Sequence, residues 1–267
     1  MSQNFRYGNY LGGVYITDDY LVSVKKGLVP GQFMVNKFGR NEAVANNVWE
    51  HISLLSSSTA FRSSAATMRI KAGGDAADTA LGAGAREVTI QGIDSDFNET
   101  KEVIPTNGAV ASVTTTTFFW RVHRAWVSDV GTYGVANTAA VIIEDSAGAN
   151  DMIMIGVEEG QTQYTGWTVP ASHTAYFLGM HAHVDSKKIA NIRVFNRDDI
   201  DITTAPMKPK RLKLFFDGVA GNFMYEPRGS EFVANAKSDI WVEGLGDGAA
   251  CEISADFELL VVKDGFN

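Results

Sequence analysis

His181-Ala182-His183 comes nearest to a metal site among the side chains of this sequence. Alternate residues of a strand point to one side, so both imidazoles would share a face. The cupin version of such a site adds a carboxylate about four or five positions further on and a distant third histidine to close the ligand set. Lys187 and Lys188 hold those positions, and the carboxylate nearby in sequence is Asp185. Ammonium groups repel a cation, so the expectation is a pair of polar surface histidines and no metal.

Asp94-Ser95-Asp96-Phe97-Asn98-Glu99 opens like a calcium loop. The helix-flanked version needs Gly at its sixth position and a bidentate Glu at its twelfth. Glu99 and Pro105 stand there instead, which favours a hairpin turn whose Asp and Asn side chains satisfy their own backbone. Asp198-Asp199-Ile200-Asp201 reads as a solvated acidic loop. No Gly-x-Ser-x-Gly elbow occurs, and none of the five histidines lies in a recognisable nucleophile motif. Leu81-Gly82-Ala83-Gly84-Ala85 precedes a strand where a dinucleotide loop would follow one, so it lacks the phosphate-binding context. Trp126, Trp167 and Tyr164 could stack on a sugar, although aromatics on strands more often serve a core or an interface. These failures lead to the expectation of no catalytic residue, no cofactor and no metal: the chain is not read as an enzyme.

The elements that must carry these residues are strands. Glu87–Gln91 alternates with a period of two, placing Val88 and Ile90 on one face. Thr117–Val127 is the strongest strand signal, aromatic and β-branched and free of Gly and Pro. Strict alternation there sets Phe118, Trp120, Val122 and Arg124 against Phe119, Arg121, His123 and Ala125. Further strands are expected at Ala139–Glu144, Met152–Val157, Ala175–Val184, Ile189–Phe195, Arg211–Phe216, Ile240–Glu243 and Cys251–Val262. Turn clusters such as Thr106-Asn107-Gly108 and Leu245-Gly246-Asp247-Gly248 separate them. The fold class expected is all-β, an antiparallel β-sandwich or jelly-roll-like body with an extended N-terminal arm. Residues 1–45 form the arm and 46–267 the body, with a division into two smaller sandwiches placed near 158–172. Asn41–Leu55 is the one helix-like stretch, 72–86 reads as a surface loop, and Pro206–Arg211 breaks the strand pattern with local positive charge.

Composition sets outer bounds. The net charge of −8 and pI near 5.1 argue against nucleic acid and anionic membrane as partners, since both call for a basic face. Cys251 is the single cysteine, which leaves no intrachain disulfide. Met1–Tyr7 lacks the apolar run of a secretory signal, and no window reaches the ~20 apolar residues of a membrane helix. The aromatic residues Phe5, Tyr7, Tyr10, Tyr15, Tyr20, Phe33 and Phe38 crowd the expected arm, and they are the assembly-interface candidates.

Several segments together resemble a β-sandwich module of tailed-bacteriophage virion structural proteins, many of them from aquatic phages. Ala85–Glu99 is similar to its strand, Gly-Leu-Asp turn and Asn-Glu start of a second strand. Thr114–Phe119 and Arg121-Val122-His123-Arg124 fit its Val/Thr-rich stretch and Arg-Val-x-Arg strand. Gly160–Ala171 fits its Gly-Gln-Thr to Thr-Val-Pro-Ala segment, Ala255–Lys263 its close, and Val35–Asn41 its entry. The likeness spans about residues 33 to 263. His173 departs from the usual Gly or Lys, and Phe97 from the usual Tyr or Trp. The resemblance implies a virion structural protein, assembled in the host cytoplasm, that decorates or cements the capsid through homo-oligomeric and capsid contacts. Its implied partners are other copies of itself and the major capsid protein, or tail and collar proteins. The alternative is a tail, collar or fibre protein that contributes to host attachment or glycan binding.

Overall fold

A computed structural model describes residues 19–55 and 61–266. The described chain is all-β apart from one short helix, and its strand ladders are antiparallel. The helix is α1 (Tyr20–Lys25), where Asp19 caps the N-terminus by accepting from the Leu21 amide at 3.0 Å. The strands of the first half are β1 (Gln32–Val44), β2 (Glu50–His51), β3 (Met68–Ile70), β4 (Ala85–Asp94), β5 (Glu99–Pro105), β6 (Phe119–Val130), β7 (Val141–Asp145) and β8 (Asp151–Ile155). Those of the second half are β9 (Trp167–Thr168), β10 (His173–Val184), β11 (Ala190–Arg197), β12 (Arg211–Val219), β13 (Gly221–Tyr225), β14 (Val233–Ala234), β15 (Asp239–Gly246) and β16 (Cys251–Lys263).

These strands make four sheets: β1-β16-β10-β13 with β14 beside β10, β12-β11-β15-β2 with β9 beside β15, β3-β7-β8, and β5-β4-β6. Period two explains how the first pair of sheets shares a core. On β16 the residues Ile253, Ala255, Phe257, Leu259 and Val261 are buried, while those between them face away from that core. Ile192 and Val194 on β11 and Ile240 and Val242 on β15 meet them from the second sheet, with Phe177 of β10 at the centre. Each such large side chain contributes about 1.5–3 kcal/mol by leaving water. The third and fourth sheets share another core of Met68, Val88, Ile90, Phe119, Val122, Ala125, Ile143, Ile153, Ile155 and Tyr164. The chain therefore leaves the first core after β2, builds the second from β3 to β8, and returns between Tyr164 and Trp167.

Two expectations about the N-terminal third require correction. The arm set at 1–45 does not extend through Gln32–Val44, because β1 pairs with β16 from Gln32↔Val262 to Val44↔Cys251. Asn36, Gly39 and Asn41 interrupt the apolar alternation of β1, and its partner strand lies at the far end of the sequence. Asn41–Leu55 is not helical: it holds the end of β1, a turn and β2. The side chains of Asn41 and Glu50 accept from the Ala43 and Ala45 amides at 3.0 and 3.1 Å, taking backbone donors that a helix would need. Phe5, Tyr7, Tyr10 and Tyr15 lie outside the described residues.

β6 also departs from strict alternation. Its register against β4 slips between Gln91 and Gly92 and again between Ile93 and Asp94. Each bulge turns the strand, so Phe119, Val122 and Ala125 all reach the same core although a flat strand would split them. Gly92 makes this possible, since a Cβ there would collide with the Arg121 carbonyl oxygen. Arg121 and His123 are thereby turned towards the neighbouring sheets, where they are buried.

Candidate functional site: an aromatic and cationic cleft

A buried polar joint ties the two cores together. Arg121 of β6 grips Asp239 of β15, donating from Nη2 at 2.9 Å and from Nε at 3.2 Å to both carboxylate oxygens. Thr168 of β9 donates its hydroxyl to the same carboxylate at 2.7 Å. The Arg121 fork also reaches the carbonyls of Arg62 and Trp120, at 2.8 and 2.9 Å. Beside it, the Thr168 amide donates to His123 Nε2 at 3.1 Å, and the Lys37 ammonium donates to the His123 carbonyl at 2.6 Å. Burial holds the Lys37 and His123 pKa values well below the usual range for each. Apart from His123 Nδ1, which has no hydrogen-bond partner, these groups are bonded to one another and to backbone, and they join the two cores.

The accessible site lies on the outer face of the second sheet. Ile192 and Val194 of β11 point into the core, so Arg193, Phe195 and Arg197 point out. The same alternation on β15 turns Trp241 and Glu243 outward beside them, with Phe195↔Trp241 and Arg193↔Glu243 as cross-strand pairs. β2 extends this face through Glu243↔His51. Trp49, His51, Phe61, Arg193, Arg197, Trp241 and Glu243 then line a cleft of about 600 Å³, walled on the far side by 207–210. Pro206–Arg211, noted in the sequence for its charge and its prolines, thus supplies Lys208 and Lys210 to one wall.

Charge is distributed unevenly in the cleft. Glu243 accepts from Trp241 Nε1 at 2.7 Å and from Arg193 Nε at 2.8 Å, with Arg193 Nη2 at 2.6 Å. Lys210 stands 3.5 Å from its other oxygen. Those donors and charges outweigh the effect of burial and hold the Glu243 carboxyl below the usual range, although burial is the largest single influence. Arg193 lies over the Trp49 ring at 3.9 Å, and Lys210 over Phe195 at 4.5 Å. Arg197 and Lys208 have no carboxylate within 4.0 Å among the described residues. His51 is 6% exposed, stacked between Tyr164 and Trp241 with Phe61 close by, and its Nδ1 has no hydrogen-bond partner.

Burial lowers the His51 pKa to about 4, against the pull of Glu243. The unfolded ring takes a proton near 6.5 while the folded one stays neutral. Between these values the unfolded state binds more protons, so stability falls as pH falls. The expected loss for His51 is on the order of 3 kcal/mol from pH 7 to pH 4, and His123 adds in the same direction. Urea midpoints measured across that range should drop steadily and drop less in His51→Phe. A flat midpoint would contradict the burial assigned to these rings.

The residues singled out in the sequence fall elsewhere. His181 and His183 do share an exposed face of β10. His181 Nδ1 faces Asp256 at 3.2 Å and its Nε2 lies 3.8 Å from Glu226, carboxylates brought up by neighbouring segments. His183 Nδ1 meets Asn222 Oδ1 at 2.8 Å. Among the described residues no three His, Cys, Asp or Glu converge as a metal set. Asp94 Oδ1 accepts from the amides of Asp96 and Asn98 at 2.8 and 2.9 Å, closing the β4–β5 hairpin. Asp198 accepts from the Ser238 hydroxyl and Asp201 from Lys237, at 3.0 and 2.7 Å. Trp167 and Tyr164 are buried and offer no face to a sugar. Of the interface candidates, Tyr20 sits on α1 and donates to Gln32, Phe33 packs on the first core, and Phe38 is 40% exposed.

The aromatic and charged lining was legible in principle: Trp49/His51, Arg193/Phe195/Arg197 and Trp241/Glu243 each repeat at spacing two. Their gathering depends on β2 joining β15, which no local pattern announces.

No family model matches the sequence, and no curated protein matches it. Among solved structures, that of infectious bursal disease virus Gt strain matches with 8% identity and a TM-score of 0.27, over 94% of this chain and 75% of that one. The infectious bursal virus derived T=1 particles match with 8% identity and a TM-score of 0.26, over 94% and 72%. Likenesses of that size assign neither a fold nor a role.

Proposed function

We propose that this chain is a virion structural protein of a tailed phage that acts by assembling with copies of itself and with capsid, as a decoration or cement protein. In this reading the two pairs of sheets are two β-sandwiches, one inserted between strands of the other. The observation that carries assembly is an open side of the molecule. β12 pairs only with β11, and β13 only with β10, so two sheets end next to each other with unpaired edges among the described residues. Leu212, Phe215 and Met224 stand on these edges at 52, 50 and 65% exposure. Unpaired strand edges with apolar side chains are ready templates for another chain, and a symmetric oligomer would cover them.

The resemblance to phage virion proteins supplies the setting, and its segments fall on structural joints. Arg121 and Thr168 meet at Asp239, and the Ala171 amide donates to the Phe97 carbonyl at 2.7 Å. A family resemblance carried by such positions speaks for a shared scaffold. Sedimentation of the full chain tests the assembly. A closed oligomer is expected, and Phe215→Asp with Met224→Asp should dissociate it while the melting temperature of the subunit holds. A monomer at every concentration, with unchanged behaviour in the double variant, would overturn the reading.

The second reading is a tail, collar or fibre protein that contributes to host attachment or glycan binding. The observation favouring it is the aromatic, cationic cleft.

A further inference from the structure

The cleft has the dimensions and lining of a ligand site. Pockets of about 300–1,000 Å³ hold small molecules, and apolar walls with a few convergent polar groups orient them; at about 600 Å³ the cleft falls within that range. Its apolar side is Trp49, Phe61, Met207 and Pro209, and its polar side is cationic. This concentration of positive charge is unexpected in a chain of net charge −8. Arg193 and Lys210 share Glu243. Arg197 and Lys208 are left without an anion among the described residues, and Arg197 Nε has no hydrogen-bond partner. An arginine fork and a nearby ammonium are suited to a carboxylate.

His51 adds a second requirement. The ring is neutral, and because Nε2 faces the Glu243 carboxylate at 3.8 Å we assign its proton to that nitrogen. Nδ1 then keeps a lone pair with no donor, and a buried acceptor without a partner is costly. A hydroxyl would satisfy it. The ligand chemistry that meets both demands is a hydroxylated carboxylate with an apolar ring face. A nucleotide fits less well: Trp241 is packed between Phe61 and Phe195, with centroids at 4.8 and 5.3 Å, and at 2% exposure offers no free face to a base. The stacking platform a base would use is largely taken.

We propose that the cleft between β2, β11, β15 and residues 207–210 binds a carboxylated sugar, with Arg197 and Lys208 holding the carboxylate, His51 accepting from a hydroxyl, and Trp49 and Phe61 packing on the ring. The proposal gives the glycan reading a specific ligand class and is independent of the assembly reading.

Titration calorimetry of the full chain with glucuronate and with N-acetylneuraminate tests it, against glucose, inorganic sulfate and adenosine monophosphate. At least one carboxylated sugar should bind saturably, about tenfold or more tighter than glucose and sulfate, which is a difference of about 1.4 kcal/mol. Arg197→Gln and Lys208→Gln should each weaken it about tenfold. Lys208 is exposed, so its variant keeps the fold, and the melting temperature of each variant verifies this. Saturable binding of glucose alone would overturn the acidic-sugar proposal while leaving a glycan reading in place. Binding of none of the sugars would overturn both. Tighter binding of the nucleotide, equal binding of sulfate, or undiminished binding in the folded double variant would each overturn the proposal.

Discussion

Asp239→Ala is expected to destabilise the fold by about 3–5 kcal/mol, because removing one partner of a buried ion pair leaves the other charge uncompensated. Arg121 is 5% exposed and its guanidinium has no water to turn to. The substitution also strands the Thr168 hydroxyl, which donates to Asp239 at 2.7 Å. Because Arg121 belongs to the β4–β6 sheet and Asp239 to the β11–β15 sheet, the loss falls on the joint between the two cores. Replacing both partners, with Arg121→Met and Asp239→Leu, should cost less than Asp239→Ala alone, since the desolvation penalty disappears together with the attraction. Chemical denaturation of the single and double variants measures this, and a double variant less stable than the single one would contradict it. The single variant is also expected to show two unfolding transitions where the parent shows one, as each core melts by itself.

Asp78→Ala should cost about as much. Asp78 is 3% exposed in the segment 72–86, whose small polar residues suggest only a surface loop. Its Oδ1 accepts from the Ala85 amide at 2.8 Å, and its two oxygens accept from the Thr138 amide at 3.0 and 2.9 Å and from the Ala139 amide at 2.9 Å. The carboxylate is thus a pin between the start of β4 and the approach to β7. Alanine leaves the buried Ala85 amide and the part-buried Thr138 and Ala139 amides without acceptors; at about 1–3 kcal/mol for the buried group and less for the other two, the total is about 3 kcal/mol. Asp78→Asn keeps an acceptor oxygen and is expected to cost about half as much. Urea midpoints decide between them; an alanine variant within about 1 kcal/mol of the parent would mean that water replaces the carboxylate.

Much of the fold could be read locally, and the reason is the period of the strands. β10, β11 and β16 bury alternate residues with few interruptions, β15 is buried on both faces, and the expected and observed bounds of all four differ by a few residues. β1 was hidden because Asn36, Gly39 and Asn41 are poor strand residues, stabilised here by pairing with β16. The faces of β6 were misassigned because its bulges leave no sign in the run Thr117–Val127. Gly92, the residue that permits one bulge, lies on the partner strand. The site was less legible than the fold. Its residues come from β2, β11, β15 and residues 207–210, and each is ordinary in its own neighbourhood. The histidine pair at 181 and 183 drew notice for the opposite reason: its spacing is conspicuous, yet its surroundings are carboxylate and amide partners on an exposed face.

The polar interior between the two cores is a structural tie. Lys37, His123, Arg121, Thr168 and Asp239 form a continuous network bonded among themselves and to the backbone, with His123 Nδ1 left unpartnered. Such a network fixes one arrangement of the two halves, as the proposed assembly would require. In that assembly the edges of β12 and β13, unpaired among the described residues, would present the same surface on every copy.

A cryo-electron microscopy reconstruction of the intact phage particle tests the central claim most directly. The account predicts density for this chain in symmetric copies on the particle, with the edges of β12 and β13 covered by a neighbouring chain. Particles that lack the chain, with the protein recovered only as a free monomer, would contradict it.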